Sequence, residues 1–98
     1  MKIEVEFSPA FQSRLSLERQ ILILEEGRST VKDLFDGLVR DHGDKIRPLL
    51  FAKKGDEILS GLMVMINNRT LTGSDLNRQE IRLAEGDKVS LLYFISGG

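Results

Sequence analysis

The stretch Lys88-Val89-Ser90-Leu91-Leu92-Tyr93-Phe94-Ile95-Ser96-Gly97-Gly98 decides the fold. Residues 88–95 read as a core strand, apolar apart from Lys88 and Ser90, and the strand runs straight into two glycines. Successive strand residues point to opposite faces. Val89, Leu91, Tyr93 and Ile95 therefore share one face, and Leu92 and Phe94 share the other with Ser90. The rest of the chain has to supply neighbours for this strand and a layer to cover it.

At the other end, Ile3, Val5 and Phe7 alternate with Lys2, Glu4 and Glu6, which predicts a half-buried strand with one charged face. Ser8-Pro9 ends it, because proline cannot donate to a ladder. Residues 11–18 fit no single pattern, and Leu15 and Leu17 could already belong to the next strand. Ile21-Leu22-Ile23-Leu24 is a second strand, closed by Glu25-Glu26-Gly27. An antiparallel hairpin with a longer loop than the tightest turns joins the two most simply. A helix follows. Thr30 suits its N-cap, and Asp33 sits in the first turn near the positive end of the dipole. Val31, Leu34, Phe35, Leu38 and Val39 form one apolar stripe, and Gly43 ends the helix.

Residues 46–60 are the least regular stretch. Pro48 and Gly55-Asp56 mark turns, Leu49, Leu50 and Phe51 are expected to cover one end of the core, and residues 53–57 form an exposed loop. Residues 62–66 read as a third strand, Asn67-Asn68 as a tight turn, and Arg69-Thr70-Leu71 as a short returning strand. Residues 73–81 are turn-rich, and residues 83–87 form a loop with a tight Gly86-Asp87 turn. The order of elements predicts an α+β fold, a mixed sheet of four to five strands with one main helix across one face. If the last strand pairs parallel to the first, both lie centrally and the sheet wraps the helix, which is the β-grasp (ubiquitin-like) arrangement. One domain over residues 1–98 is expected, with residues 96–98 as a flexible tail.

Composition narrows the function. Of 98 residues, 41% are hydrophobic and 30% charged, as in a soluble globular chain. A net charge of -1 offers no footprint for nucleic acid. No apolar run approaches a membrane span, and the alternating start does not resemble a signal peptide, so no membrane partner and a cytoplasmic location are expected. The absence of cysteine excludes disulfides, thiolate metal sites and covalent sulfur on a side chain. Any sulfur handled by this chain would have to sit on its terminal carboxyl group.

The tail reads either as a frayed terminus or as a carboxylate that enters another protein's active site. Glycine has no Cβ, so Gly97 and Gly98 can pass a narrow channel and let the backbone approach closely. The tail leaves a strand and not a linker, which favours the second reading. The apolar parity adds to it. A sheet with one covered face needs one apolar set. Leu92 and Phe94 in the last strand, with Met63 and Met65 in the third, make a second set. They predict an outer apolar patch for a partner, unless residues 46–60 or 11–17 fold over it.

Residues 83–89, Leu-Ala-Glu-Gly-Asp-Lys-Val, followed by an apolar strand and Ser96-Gly97-Gly98, resemble the C-terminal signature of ubiquitin-like sulfur carriers. The small subunit of molybdopterin synthase and the thiamine sulfur carrier belong to that group. Asn67-Asn68-Arg69 resembles the family's Asn-Gly-Arg hairpin turn. The resemblance implies a β-grasp fold. It also implies that an ATP-dependent activating enzyme adenylates the terminal carboxylate and that sulfur transfer then makes a thiocarboxylate. Gly98 would carry adenylate and then sulfur, Gly97 would keep the tail slim, and Ser96 would be a hinge beside the partner. The partners implied are the activating enzyme and the sulfur-accepting large subunit of a synthase. This chain would be a carrier or non-catalytic subunit and not an enzyme, with the small subunit of molybdopterin synthase as the first expectation and a protein modifier conjugated through Gly98, or a carrier for thiamine or amino-acid biosynthesis, as the alternatives. It would bind no cofactor or metal itself, and ATP would be used by the activating enzyme. Three features depart from the family pattern. Leu92-Tyr93-Phe94-Ile95 stands where many molybdopterin-synthase small subunits have a proline pair. Asn68 replaces a glycine. Residues 45–61 form a longer middle stretch than thiamine carriers have.

Other candidates read as structure. His42 at a helix end suits the dipole better than a ligand role, since metal sites need several ligands. Asp33, Asp36, Asp41 and Asp44 look like a solvated helix face. Gly86-Asp87 has no phosphate-loop context and is most simply a turn.

Overall fold

The computed structural model describes residues 1–25, 27–53, 55 and 57–93. Five strands form one mixed sheet: β1 (Lys2–Phe7), β2 (Arg19–Ile23), β3 (Leu62–Ile66), β4 (Arg69–Thr72) and β5 (Lys88–Tyr93), in the order β2-β1-β5-β3-β4. β1 and β5 pair in parallel at the centre, with Val5 beside Val89 and Phe7 beside Leu91. The other pairings are antiparallel. This is the β-grasp order, with the first and last strands side by side.

The main helix α2 (Val31–His42) lies across one face. Thr30 caps it through a reciprocal box. Its hydroxyl accepts from the Asp33 N–H at 3.1 Å, and the Asp33 carboxylate accepts from the Thr30 N–H at 3.2 Å. Val31, Leu34, Phe35 and Leu38 are buried against Ile3, Val5, Leu62, Val64, Val89 and Leu91. Val39 packs at the margin of that cluster. Gly37 faces β2 so closely that a Cβ there would lie 2.9 Å from a methyl of Leu22.

The connections correct the sequence reading in two places. Pro9 does not merely end β1; it opens a helix, α1 (Pro9–Leu15). Proline suits the first helical position because its missing N–H is unneeded there. Phe11 and Leu15, four residues apart, both face the core, whereas Leu17 lies outside β2 and is exposed. The first two strands therefore pair antiparallel through a helical crossover, not a simple hairpin loop. The second correction falls at residues 73–81, read above as turns. Gly73–Arg78 forms a helix, called α4 here, capped by Thr72 and Asp75 in the same reciprocal box as α2. Its first residue must be small, because a Cβ on Gly73 would lie 1.7 Å from the Leu59 carbonyl oxygen.

Residues 46–60 hold a single helical turn, α3 (Arg47–Leu50), after a 3-10 turn at Gly43–Lys45. Ile46, Leu50, Phe51 and Ile58 close one end of the core, and the Phe51 ring meets Phe35 edge-on at 6.2 Å.

Candidate functional site

β5 is held differently at its two ends, and the arrangement starts with the turn before it. Gly86 has φ +83, a left-handed conformation that glycine adopts without strain. Around it, the Asp87 N–H donates to the Ala84 carbonyl at 3.0 Å, and the Asp87 carboxylate accepts from the Ala84 N–H at 2.8 Å. The Gly86 N–H donates to the Lys2 carbonyl at 2.8 Å, which ties the turn to the start of β1. The same Asp87 carboxylate accepts from the Asn67 side-chain amide at 3.1 Å, and the Lys88 N–H donates to Asn67 Oδ1 at 3.2 Å. Asn67 itself takes φ +56 in the β3–β4 turn. The Gly86-Asp87 and Asn67-Asn68 motifs thus meet in space, and their work is to fix where β5 begins.

At its other end β5 is held by Tyr93. Its ring stacks on Phe11 of α1, with centroids 5.3 Å apart and planes 6° from parallel, and its hydroxyl donates to the Leu49 carbonyl of α3. The Ser8 N–H donates to the Leu91 carbonyl at 3.1 Å, so the β1–α1 junction is tied to the same strand. Burial pushes the Tyr93 hydroxyl up to about 12, with Arg14 pulling weakly the other way. Sequence reading did not single out Tyr93. The available signal was a phenol among the inward-facing residues, since a buried tyrosine hydroxyl needs a partner.

The face of the sheet away from α2 is built from the second parity set. Register places Met63 beside Leu92 and Thr72, and Met65 beside Ser90 and Thr70. Met63, Met65 and Leu92 are each half-buried. Phe11, Leu50 and Phe51 belong to the core beneath α2. Phe11 stacks on Tyr93 and Phe51 meets Phe35 of α2, so these residues of the two segments pack on the helix side of the sheet. Toward β1 the face turns ionic. Lys88 Nζ lies 2.9 Å from Glu6 Oε1 and 4.0 Å from Glu4 Oε2, and the Ser90 hydroxyl donates to Glu6 at 3.4 Å. Lys88 holds the Glu6 carboxyl below the usual carboxylate range.

The structure therefore brings Met63, Met65 and Leu92 together beside the strand that leads to the tail. Phe94, Ser96, Gly97 and Gly98 lie outside the described residues. His42 closes α2 with its Nε2 at 2.7 Å from Gln20 Oε1, and Gln20 also donates to Asp41 at 2.9 Å, so the histidine braces helix against strand. Asp33 is a capping residue, while Asp36, Asp41 and Asp44 are exposed. Among the described residues no group of histidine, aspartate and glutamate is placed to hold a metal ion. No described helix is long and apolar enough to cross a membrane.

A mixed five-stranded sheet with parallel central strands and one main helix across a face is the β-grasp architecture of the ubiquitin-like sulfur carriers. The chain belongs to that class through the ThiS family, which its sequence matches over residues 12–98. No curated protein sequence matches significantly. Solved structures share the fold at low identity. The small archaeal modifier protein SAMP1 from Haloferax volcanii is 21% identical with a TM-score of 0.81, each chain covered over 100% of its length. A putative molybdopterin converting factor, subunit 1, from Pyrococcus furiosus is 20% identical with a TM-score of 0.66, covering 97% of this chain and 99% of that one. A chain of the Amycolatopsis orientalis BexX/CysO complex is 16% identical with a TM-score of 0.69, covering 98% of this chain and 99% of that one.

Proposed function

We propose that this chain carries sulfur as a thiocarboxylate on Gly98 and delivers it as the small subunit of molybdopterin synthase. The observation that carries the reading is the treatment of β5. A strand gripped at Asp87 and again at Tyr93 gives a rigid base, five residues before Gly98, from which a tail can be aimed at a partner's active site. The family match, which runs to residue 98, supports the same use of the terminus.

The chemistry explains why so little is asked of side chains. A carboxylate is a poor electrophile at neutral pH. ATP bound to an activating enzyme adenylates the Gly98 carboxylate and releases pyrophosphate. A sulfur nucleophile then displaces AMP and leaves the thiocarboxylate, which serves as the sulfide donor. The carrier supplies no acid or base, and its folded body provides the binding energy that positions the tail. Met63, Met65 and Leu92, with Phe94 and Ser96 further along, are the surface we assign to the activating enzyme and to the synthase large subunit. Gly97 keeps the channel-threading segment slim. The chain holds no cofactor of its own in this scheme.

A second reading, a protein modifier joined through Gly98 to target lysines, draws on the TM-score of 0.81 to SAMP1. The two share their chemistry as far as the adenylate. Mass spectrometry of the chain recovered from its own cells separates them. A gain of one sulfur for one oxygen at Gly98 is expected for the carrier. Gly98 found only in isopeptide linkage to other proteins would replace the carrier with the modifier.

A further inference from the structure

The two edges of the sheet are protected unequally. β4 shows exposed Arg69, Thr70 and Thr72 and runs at once into α4, so its edge is short and polar. β2 shows the opposite. Ile23 is 61% exposed, Ile21 50% and Leu17 36%, and these are the exposed large hydrophobic residues among the described part of the chain. All three lie in β2 or on the approach to it.

The backbone of β2 is equally open. The Leu24 N–H donates to the Met1 carbonyl and the Met1 amine to the Leu24 carbonyl, both at 2.8 Å, and the Phe7 N–H donates to the Glu18 carbonyl at 2.9 Å. Residues 18, 20, 22 and 24 therefore aim their backbone groups at β1. By the alternation of an antiparallel ladder, Arg19, Ile21 and Ile23 aim theirs outward. α2 meets β2 closely where Gly37 faces Leu22, and beside that contact an open, largely charged groove of about 320 Å³ runs between Ile23 and Glu25 on one side and Asp33, Asp36 and Arg40 on the other.

We propose that β2 pairs with β2 of a second copy of this chain, antiparallel about a two-fold axis through Leu22. The residues from 19 to 25, Arg-Gln-Ile-Leu-Ile-Leu-Glu, are complementary to themselves in that register. Ile21 lies opposite Ile23 of the second copy, and Arg19 lies opposite its Glu25. Two-fold symmetry repeats both pairs. Each is a favourable cross-strand pair, isoleucine on isoleucine and cation on anion. The pairing satisfies the outward N–H and C=O groups of Ile21 and Ile23 and joins the two sheets into one. The patch of Met63, Met65 and Leu92 stays free, because β1 with Glu4 and Glu6, and then Lys88 of β5, stand between it and the isoleucines. The dimer thus presents two patches and two tails.

Sedimentation equilibrium of the full chain, from low-micromolar to millimolar concentration, tests the pairing. A monomer–dimer equilibrium is expected. Ile23→Lys should raise the dimer dissociation constant by about tenfold or more, since it places a charge in the centre of the contact. Ile23→Thr, which keeps a branched Cβ, serves if the lysine variant fails to fold. Arg19→Glu should weaken the dimer, and Arg19→Glu combined with Glu25→Arg should restore it. A chain that stays monomeric to millimolar concentration overturns the proposal, even if an extended segment of another protein binds at β2. So does a dimer that ignores all four variants, or an open-ended aggregate in place of a dimer.

Discussion

The two faces of β5 show how the molecule divides its labour. On the helix side, Val89 and Leu91 are fully buried under α2, and Tyr93 is stacked on Phe11 and bonded to Leu49. On the other side, Ser90 and Leu92 sit in a row with Met63 and Met65, half-covered, beside the Glu6–Lys88 ion pair. Residues one position apart in the sequence thus meet different demands. Those facing α2 are constrained by packing and hold the strand still. Those facing away are half-buried and form the surface proposed above for a partner. A row of half-buried apolar side chains on the face away from the helix goes beyond what a sheet with one covered face needs.

That contrast can be broken in a graded way. Leu38→Ala, in the layer covering β5, should give the largest loss, about 2–5 kcal/mol in a denaturant melt, because α2 cannot settle fully into the space left. A loss under about 0.5 kcal/mol would mean that α2 is not packed as described. Tyr93→Phe should be milder at neutral pH, about 0.5–1.5 kcal/mol for the hydrogen bond to Leu49. It should also remove part of the alkaline sensitivity. The folded hydroxyl titrates near 12, above its ordinary 10.0. The neutral phenol's contribution is therefore complete below pH 10, declines as pH rises toward 12 and is absent above. Melts of both proteins across that window should converge, and curves that stay parallel would remove Tyr93 from the account. Leu92→Ser, on the open face, should cost less than about 1 kcal/mol in stability. It should nonetheless weaken binding to the activating enzyme by about tenfold, measured by calorimetry. A large stability loss with unchanged binding would reverse the assignment of the two faces.

How much of this was legible in the sequence depends on whether the relevant signal was local. Alternation in Ile3, Val5 and Phe7 and the stripe from Val31 to Leu38 are repeated, so β1 and α2 could be read directly. The same Thr-x-x-Asp box occurs at Thr30–Asp33 and Thr72–Asp75, yet only the first announced a helix. α4 is six residues long and lacks an apolar stripe that would tell it from turns. Pro9 both ends β1 and opens α1, and the strand-like spacing of Leu15 and Leu17 hides the helical spacing of Phe11 and Leu15. The parallel pairing of β1 with β5, and the meeting of Asn67 with Asp87, join residues far apart in the chain and left no local mark. At the site, parity alone grouped Met63, Met65 and Leu92. Gly97 and Gly98 rest on the sequence and on the family match.

Those glycines carry the central claim, and pyrophosphate exchange tests it most directly. The intact chain and a chain lacking Gly98 would be presented to the cognate activating enzyme with ATP and labelled pyrophosphate. Removing one residue withdraws the reacting carboxylate by up to ~3.6 Å while leaving β5 and its anchors untouched. Misplacement of 1 Å can already cost on the order of 10²-fold in rate. The account predicts exchange with the intact chain and loss of at least that factor with the shortened one, at equal folding stability. Equal exchange by the two chains would contradict it.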